Sequence, residues 1–325
     1  MTTSKEKNNN VIEQENSINI LEQEFSSKKL EKYEQQFITQ RKLNYSNSKV
    51  STCLTKIKPN EKIALKILDN ELIKIEIDKN VTPKEKLILN RINTFCIDDN
   101  KLLSLNQLSQ SIYQDKKVRP SKKSINELLE LLNNLNNNYV YLDITAEIKN
   151  RKDIELDDDN HLITKRKLLD FETCLQISPN KKTTPSILIK ETPPILDYEL
   201  KTNHQLITAK SRHVKTALTG LENNLNNAVL VDYIIQHIGR LEHSNNKLSN
   251  RLNYSTLFSN VTNEKLNRLQ SQRLKDKTLK ILNNLKNDKS CNLKNFKEIK
   301  ENNQRIAIDF FVIKKSKRKK LKSQK

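Results

Sequence analysis

Hydrophobic residues in the first half of the chain recur at helical spacing in three successive segments. Thr82, followed by a proline, supplies an N-cap and first helical position before KEKLILNRINTF. Ser104 and Gln107 stand at capping-box spacing before a second helix, LNQLSQSIY. Ser121 can cap a third helix, whose apolar residues recur at i, i+3, i+4, i+7 and i+10. The residues patterned toward a core are Leu87, Ile88, Arg91, Ile92 and Phe95 in the first helix and Ile125, Leu128, Leu129, Leu132 and Leu135 in the third.

Alternating apolar and polar residues predict strands on both sides of these helices. In residues 61–77, EKIALKILDNELIKIEI, two alternating runs favour a leading β-hairpin, and a helix of the same period stays open. Tyr139–Asp143 has the β-branched and aromatic content of a strand. Residues 149–161 and the run HLITKRKLLDFETCLQI are predicted to form the far side of its hairpin. Three helices followed by a two-stranded ribbon is the element order of a winged helix.

The same order of elements recurs in the second half. NNAVLVDYIIQHIGRL is an apolar-rich helix, RLNYSTLF reads as a short strand that turns into a short helix, and a long helix ends near Asn287. CNLKNFKEI and RIAIDFFVI then predict a second ribbon. The recurrence lies in the order of the elements and not in residue identity. It predicts an α+β protein with two tandem winged-helix domains.

Composition divides the chain into five segments. Residues 1–55 are polar and rich in Asn, Gln, Glu and Lys, which predicts a disordered arm. Residues 56–178 are the predicted N-terminal winged-helix domain. Four of the seven prolines fall close together in residues 179–200, which are interpreted as a linker. Residues 201–313 are the predicted C-terminal winged-helix domain, and residues 314–325, with eight basic side chains and no acid, form a basic tail.

Residue content argues for a cytoplasmic protein without a metal or cofactor. The four cysteines are scattered, with no CxxC pair and no histidine at ligand spacing, which predicts a reduced protein without a zinc site. No apolar run approaches the roughly 20 residues of a membrane span. The N-terminus MTTSKEKNNN lacks the apolar core of a signal peptide, so no membrane partner is expected.

Positive charge is concentrated in the last third of the chain. The formal net charge is +20, and residues 205–325 hold 26 Lys+Arg against 9 Asp+Glu, a net of +17. Abundant Lys, Asn and Ile with only 2 Gly indicate an AT-rich genome, so part of the lysine excess carries no functional information. A merely solvated basic surface predicts an even spread. The asymmetry favours a polyanionic partner, most simply nucleic acid.

The third helix of the C-terminal domain is the predicted recognition helix. Arg273, Lys277 and Lys280 lie at i, i+4 and i+7, opposite a core stripe. Such a helix fits a major groove, with Arg273 on guanine edges and the lysines on phosphates. Alone, the three cations would be read as a solvated helix face; the charge asymmetry and the fold order favour double-stranded DNA. The predicted core stripe is Leu274, Thr278, Ile281, Leu282 and Leu285, and the predicted DNA-binding residues are Arg268, Arg273, Lys277, Lys280, Lys294 and Lys297.

The N-terminal domain is predicted to contribute less DNA affinity or a self-association surface. Glu127 and Glu130 lie opposite its core stripe, where carboxylates would be repelled by phosphates. Three aspartates, 157–159, follow the cations of its predicted wing. The predicted DNA contacts of this domain are Lys122, Lys123, Lys149, Arg151 and Lys152. The basic tail is equally consistent with a solubilising segment and with a DNA-clamping arm.

No catalytic residue is predicted. Two glycines cannot build a phosphate-cradling loop, and the five histidines form no His-hydrophobe-His metal pair. His237-Ile-Gly-Arg240 matches the HxxR box of tyrosine recombinases, but the last tyrosine, Tyr254, follows only fourteen residues later. His237 and Arg240 are therefore interpreted as surface residues of an amphipathic helix. A divergent recombinase stays as a further alternative.

Several phrases resemble a known family. TPKEKLILNRI, LSLNQL and SINELLELLNNLNNNYVYLDITAE resemble the first winged helix of bacterial plasmid replication initiators. NNAVLVDYIIQHIGRLEHSNNKLSNRLNYSTLF and KDKTLKILNNLK resemble second-half sequences of initiator-like proteins from low-GC bacteria. The resemblance covers about residues 82–313.

This resemblance implies a non-enzymatic protein that binds repeated DNA sites at a plasmid origin. It implies stronger base contacts by the C-terminal domain, a homodimer that represses its own promoter, and recruitment of a host helicase or helicase loader. The acidic tip of the first wing and the scarcity of glycine depart from the family. A tandem winged-helix transcription regulator fits the same residues, and an RNA-binding or structural protein is a further alternative.

Overall fold

A computed structural model describes most of the chain between residues 42 and 314. The described residues are 42–45, 49–66, 72–115, 117–143, 145, 163–177, 183–201, 206–243 and 249–314. The helices are α1 Lys49–Cys53, α2 Pro83–Ile97, α3 Leu105–Tyr113, α4 Lys122–Asn136, α5 Pro194–Lys201, α6 Ser211–Leu218, α7 Leu225–His243, α8 Tyr254–Val261 and α9 Arg268–Asn287. The strands are β1 Lys42–Tyr45, β2 Ile63–Lys66, β3 Leu72–Ile77, β4 Leu102–Ser104, β5 Tyr139–Asp143, β6 Ile163–Lys167, β7 Phe171–Ile177, β8 Thr183–Ile189, β9 Ile207–Lys210, β10 Arg251–Asn253, β11 Leu293–Glu301 and β12 Gln304–Val312. The protein is a mixed α+β structure, as predicted.

One arrangement of elements occurs twice. In the N-terminal half, α2, β4, α3 and α4 precede the hairpin β7–β8, and the sheet order is β4-β8-β7. In the C-terminal half, α7, β10, α8 and α9 precede the hairpin β11–β12, and the sheet order is β10-β12-β11. In each sheet, the strand that comes last in the sequence lies between the two strands that precede it. The predicted recurrence of element order is therefore present in part, because β5 and β6 stand between α4 and β7 in the N-terminal half.

Local capping explains where the helices of the N-terminal half begin. The Thr82 hydroxyl accepts a hydrogen bond from the Glu85 amide at 3.2 Å, and the Glu85 carboxylate accepts one from the Thr82 amide at 2.7 Å. Ser104 and Gln107 make the same reciprocal pair at 3.1 and 2.8 Å. Ser121 accepts from the Ser124 amide. These side chains satisfy backbone donors that have no partner within the helix, so the three predicted helix starts are confirmed.

The predicted hairpin partner of Tyr139–Asp143 is confirmed for the run HLITKRKLLDFETCLQI, in which β6 lies, whereas residues 149–161 lie outside the described residues. This strand pairs with β3 on one side and β6 on the other, within a four-stranded sheet of order β2-β3-β5-β6. Val140 and Leu142 face the core beside Ile75 and Ile77, which lie on the same face of β3. The burial of these apolar side chains of β3 and β5 stabilises the pairing of β5 with the leading hairpin β2–β3. The hairpin that follows α4 in the repeated arrangement is β7–β8.

Residues 179–200, interpreted as a linker, contain a strand and a helix. In β8, Ile187 and Ile189 are buried, and β4 pairs only with Ser186–Leu188. Pro185 thus lies beyond the end of β4. Proline has no backbone N–H, but at this position no hydrogen bond to β4 is lost. Pro194 opens α5, which is compatible with its fixed φ. Pro185 lies within β8, and Pro194 lies at the first position of α5.

Part of the predicted disordered arm also belongs to the core. Leu43 and Tyr45 are buried on β1, which pairs antiparallel with β9 of the C-terminal half. Residues 49–53 form α1, where Val50 is buried. The alternation of exposed and buried positions in KLNY is too short to separate from its polar surroundings in the sequence. Residues 1–41 lie outside the described part of the chain.

A buried ion pair joins the two halves. Arg91 of α2 is fully buried, and its Nη2 lies 2.7 Å from Oδ1 of Asp232 on α7. Asn90 and Gln236 donate to Asp232 Oδ2 at 3.2 and 2.8 Å, and Arg91 donates to the Tyr45 hydroxyl at 3.4 Å. Burial raises the pKa of Tyr45, which keeps the phenol neutral beside the pair. The halves therefore share one core with an ion pair at its centre, although Arg91 Nε has no hydrogen-bond partner among the described residues.

Removing the carboxylate should destabilise the whole fold. The Asp232→Ala variant leaves the Arg91 guanidinium buried without its partner, which is expected to lower the free energy of unfolding by about 3–5 kcal/mol. Urea unfolding followed by circular dichroism measures the change. Lys74→Ala, which breaks the exposed Lys74–Asp143 pair of 3.8 Å, is the control and should cost less than about 1 kcal/mol. Equal effects of the two substitutions would contradict a central role for Asp232.

Candidate nucleic-acid interface

Helix α9 has one buried stripe and one open face. At its start, the Asn267 side chain accepts a hydrogen bond from the Gln270 amide, and the Gln270 side chain accepts one from the Asn267 amide. The two bonds form a capping box. Of the predicted core stripe, Thr278, Ile281, Leu282 and Leu285 are buried and Leu274 is half-buried. Arg268 and Arg273 are exposed in the first two turns. The predicted orientation of the helix about its axis is confirmed.

Two of the three aligned cations are held by neighbouring backbone and side chains. Lys277 is half-buried, and its Nζ donates to Asn227 Oδ1 at 3.0 Å. Lys280 is exposed, and its Nζ donates to the carbonyl oxygen of Gly220. Asn284 donates to the carbonyl oxygen of Thr219 at 3.0 Å. This flank of α9 faces the connection between α6 and α7, so an open basic face of all three cations is wrong for Lys277.

The open face of α9 carries an acid and an apolar side chain among its cations. Leu269 is 58% exposed, and Asp276 lies one turn after Arg273. Arg305 of β12 donates to Asp276 at 2.7 Å and thereby offsets its charge. The helical period of the sequence places Asp276 between Arg273 and Lys280. Leu269, Gln272 and Asp276 are therefore contact candidates that the sequence analysis passed over.

The hairpin β11–β12 adds further cations. Lys294 and Lys297 are both exposed on β11, as is Lys300, which the sequence analysis did not select. Strand β11 is an edge of the sheet β10-β12-β11. Lysines on an edge strand also prevent pairing with another chain. Their position is compatible with both roles, and their contact with DNA stays a prediction.

The N-terminal half exposes cations at the start of α4. Lys122 and Lys123 are exposed in its first turn, where positive charge opposes the helix dipole. A polyanion at this end would relieve that unfavourable interaction. Glu127 lies 2.7 Å from Lys84 of α2, so one of the two carboxylates expected to repel DNA is already paired. Lys149, Arg151, Lys152 and aspartates 157–159 lie outside the described residues.

The HxxR residues His237 and Arg240 are half-buried. The His237 ring packs against the Phe310 ring at 5.0 Å, and its Nε2 is buried with no partner among the described residues. Arg240 is half-buried, with its Nε likewise unpartnered in the described part of the chain. The Tyr254 hydroxyl donates to Glu298 at 2.8 Å. Helix α7 is enclosed by α2 and β12, which explains why the prediction of surface positions is wrong. Tyr254 is bonded away from His237 and Arg240, an arrangement that offers no support to the recombinase alternative.

The described residues contain neither a membrane-spanning helix nor a cluster of metal ligands. No helix among them has the length and apolarity to cross a membrane. Nor do they bring together three His, Cys, Asp or Glu side chains in a group that could hold a metal ion.

Comparisons with known proteins identify no family for the chain. No protein-family model matches the chain, and no curated protein matches it. Among solved structures, the chain is similar to domains 2 and 3 of RctB in the crystal structure of their selenomethionine derivatives. Sequence identity is 13%, the aligned region covers 79% of this chain and 92% of that chain, and the TM-score is 0.39. A similarity of this size carries no argument about function.

Burial of His237 should make stability depend on pH. Burial, and then the nearby Arg240, lower the pKa of His237 to about 4, so the folded form stays neutral while the unfolded histidine protonates near its ordinary pKa of 6.5. Stability from this group is present above pH 6.5 and is lost as pH falls toward 4, by about 3 kcal/mol in total. Urea unfolding at pH 7 and pH 4.5 should show a smaller loss for His237→Phe than for the unchanged protein. An identical loss in both proteins would contradict this assignment.

Proposed function

We propose that the chain is a sequence-specific double-stranded DNA-binding protein that initiates plasmid replication from repeated origin sites. In this proposal each half acts as a winged helix. The observation that carries it is the twofold occurrence of helix, strand, two helices and hairpin, with the same strand order in both sheets. The net charge of +17 in residues 205–325 supports a polyanionic partner for the second half.

The C-terminal half supplies the main reading surface in this proposal. Helix α9 enters the major groove with its first two turns, where Arg268 and Arg273 are exposed. Arg273 can donate two hydrogen bonds to a guanine edge. Lys294 and Lys297 contact the adjacent backbone from the hairpin β11–β12. Lys277 and Lys280 contribute only if they exchange their bonds with Asn227 and the Gly220 carbonyl for bonds with phosphate.

The N-terminal half contributes a second, lighter contact through Lys122 and Lys123. Arg91 and Asp232 hold α2 against α7. The two helices proposed to contact DNA, α4 and α9, therefore keep a fixed distance and orientation relative to each other. A fixed relation selects sites with a fixed spacing, about one helical turn or 34 Å for two major grooves on one side of the duplex. The proposal includes a non-enzymatic role in the cytoplasm, homodimers that repress the gene, and recruitment of a host helicase or its loader.

A tandem winged-helix transcription regulator is the second candidate. It needs the same repeated arrangement and the same exposed cations, so the described contacts fit both functions equally. The DNA beside the gene distinguishes them. Direct repeats on a small replicon support initiation, whereas a lone promoter-proximal site supports regulation.

Binding to duplex DNA should depend on salt and on Arg273. A site selected from a random duplex pool should lose about a hundredfold in affinity between 50 and 200 mM salt if four phosphates are contacted. Fluorescence anisotropy measures this loss. Arg273→Ala should reduce the preference for the selected site by about 1–3 kcal/mol, because a bidentate base contact is removed. Lys286→Ala, at the far end of the same helix, is the control and should leave that preference unchanged. A sequence-independent loss from Arg273→Ala, or salt-independent binding, would contradict reading by α9.

Initiation is tested separately from binding. The gene with its flanking DNA should maintain a plasmid that lacks another origin, and Arg273→Ala should abolish maintenance. Plasmid copy number in transformed cells is the measurement. Site-specific binding without maintenance by the unchanged gene would favour the transcription regulator.

A further inference from the structure

A small pocket lies where the two halves meet. Its wall includes Lys86 and Asn90 of α2, Tyr233 and Arg240 of α7, and Asn260 of α8. Its volume is about 30 Å³. One water needs about 10–15 Å³ on this measure, so the enclosed part has room for about two water-sized groups. The pocket opens to solvent, so a larger ion would extend into its mouth. The pocket is distinct from the surface proposed to bind DNA.

The pocket contains more positive than negative charge. Lys86 and Arg240 both line it, and each is half-buried. Asp232 also lines the pocket, but Arg91 lies 2.7 Å from its Oδ1, and Asn90 and Gln236 donate to its Oδ2. The Asp232 carboxylate is thus the counter-charge for three cations: Arg91, Lys86 and Arg240.

Arg240 has an unpartnered donor in the pocket. Its Nε is buried without a hydrogen-bond partner among the described residues. Burial, and then the charge of Arg240, lower the pKa of Lys86 to about 8. Burial also lowers the pKa of Arg240, opposed only by Tyr233. Two neighbouring, partly desolvated cations that share one already paired carboxylate are unfavourable unless an anion joins them.

We propose that this pocket binds a phosphate-sized tetrahedral oxyanion between Lys86 and Arg240. The guanidinium supplies a planar pair of donors suited to an oxyanion, and the ammonium supplies a second charge. The proposal goes beyond the proposed function and does not depend on it. Inorganic phosphate and the phosphate of a nucleoside monophosphate present the same chemical group.

Thermal unfolding of the full chain with inorganic phosphate tests the site. At constant ionic strength set by sodium chloride, phosphate at ten times its Kd should raise Tm by roughly 2–3 °C. Isothermal titration calorimetry gives the affinity. Lys86→Gln and Arg240→Gln should each weaken phosphate binding by at least about tenfold, because a charge-assisted bond is lost. Without phosphate, both variants should unfold at or above the Tm of the unchanged protein, because the repulsion between the two cations is relieved.

The control and a second ligand keep the test specific. Lys58→Gln removes the same charge from an exposed position after α1 and should bind phosphate normally. No Tm gain in the unchanged protein, full gain in both pocket variants, or an equal loss in Lys58→Gln would overturn the proposal. Adenosine 5′-monophosphate identifies the source: competition with phosphate assigns the pocket to phosphomonoesters, and binding of phosphate alone assigns it to the free ion. DNA binding by the pocket variants should be unchanged, so failure here would leave the proposed function standing.

Discussion

The contact of α2 with α7 through the Arg91–Asp232 pair determines how the rest of the molecule is arranged. Two opposite charges in an apolar core are stable only when both are paired and their remaining polar atoms are bonded. Asn90 and Gln236 meet that condition for the carboxylate. Because the pair joins the first long helix of each repeated arrangement, separation of the halves would leave a buried charge unpaired. The halves therefore form one body, and the strand pair β1–β9 crosses the same boundary.

Elements with local causes were predictable from the sequence. A capping residue acts within three positions, so Thr82, Ser104 and Ser121 mark helix starts without reference to the fold. Pairing between distant strands has no such local cause. The pattern around Tyr139–Asp143 predicts this strand and its hairpin partner β6, which follows it in the chain. It does not predict the second neighbour, β3, against which Val140 and Leu142 are buried and which lies some sixty residues away in the chain. The interpretation of the proline cluster as a linker failed for the same reason. Pro185 fits within strand β8 because β4 has ended at that point, which no local pattern shows.

The candidate interface was predictable in orientation and not in detail. Helical periodicity places Leu282 inside and Arg273 outside, since both follow from one stripe of apolar residues. The bonds of Lys277 to Asn227 and of Lys280 to Gly220 join residues fifty and sixty positions apart, beyond the reach of any local pattern. His237 and Arg240 looked like surface residues because polar side chains usually are. Helix α7 is packed on more than one side, and such a helix buries polar positions as well.

The same junction that stiffens the molecule also concentrates its least compensated charges. Asp232 is paired with Arg91, so Lys86 and Arg240 share an already paired carboxylate on the two helices that hold the halves together. An anion between them would attract both helices at once and strengthen the contact of α2 with α7. By linkage, a ligand that strengthens this contact when it binds would raise the affinity for the anion by the factor by which the anion raises the affinity for that ligand.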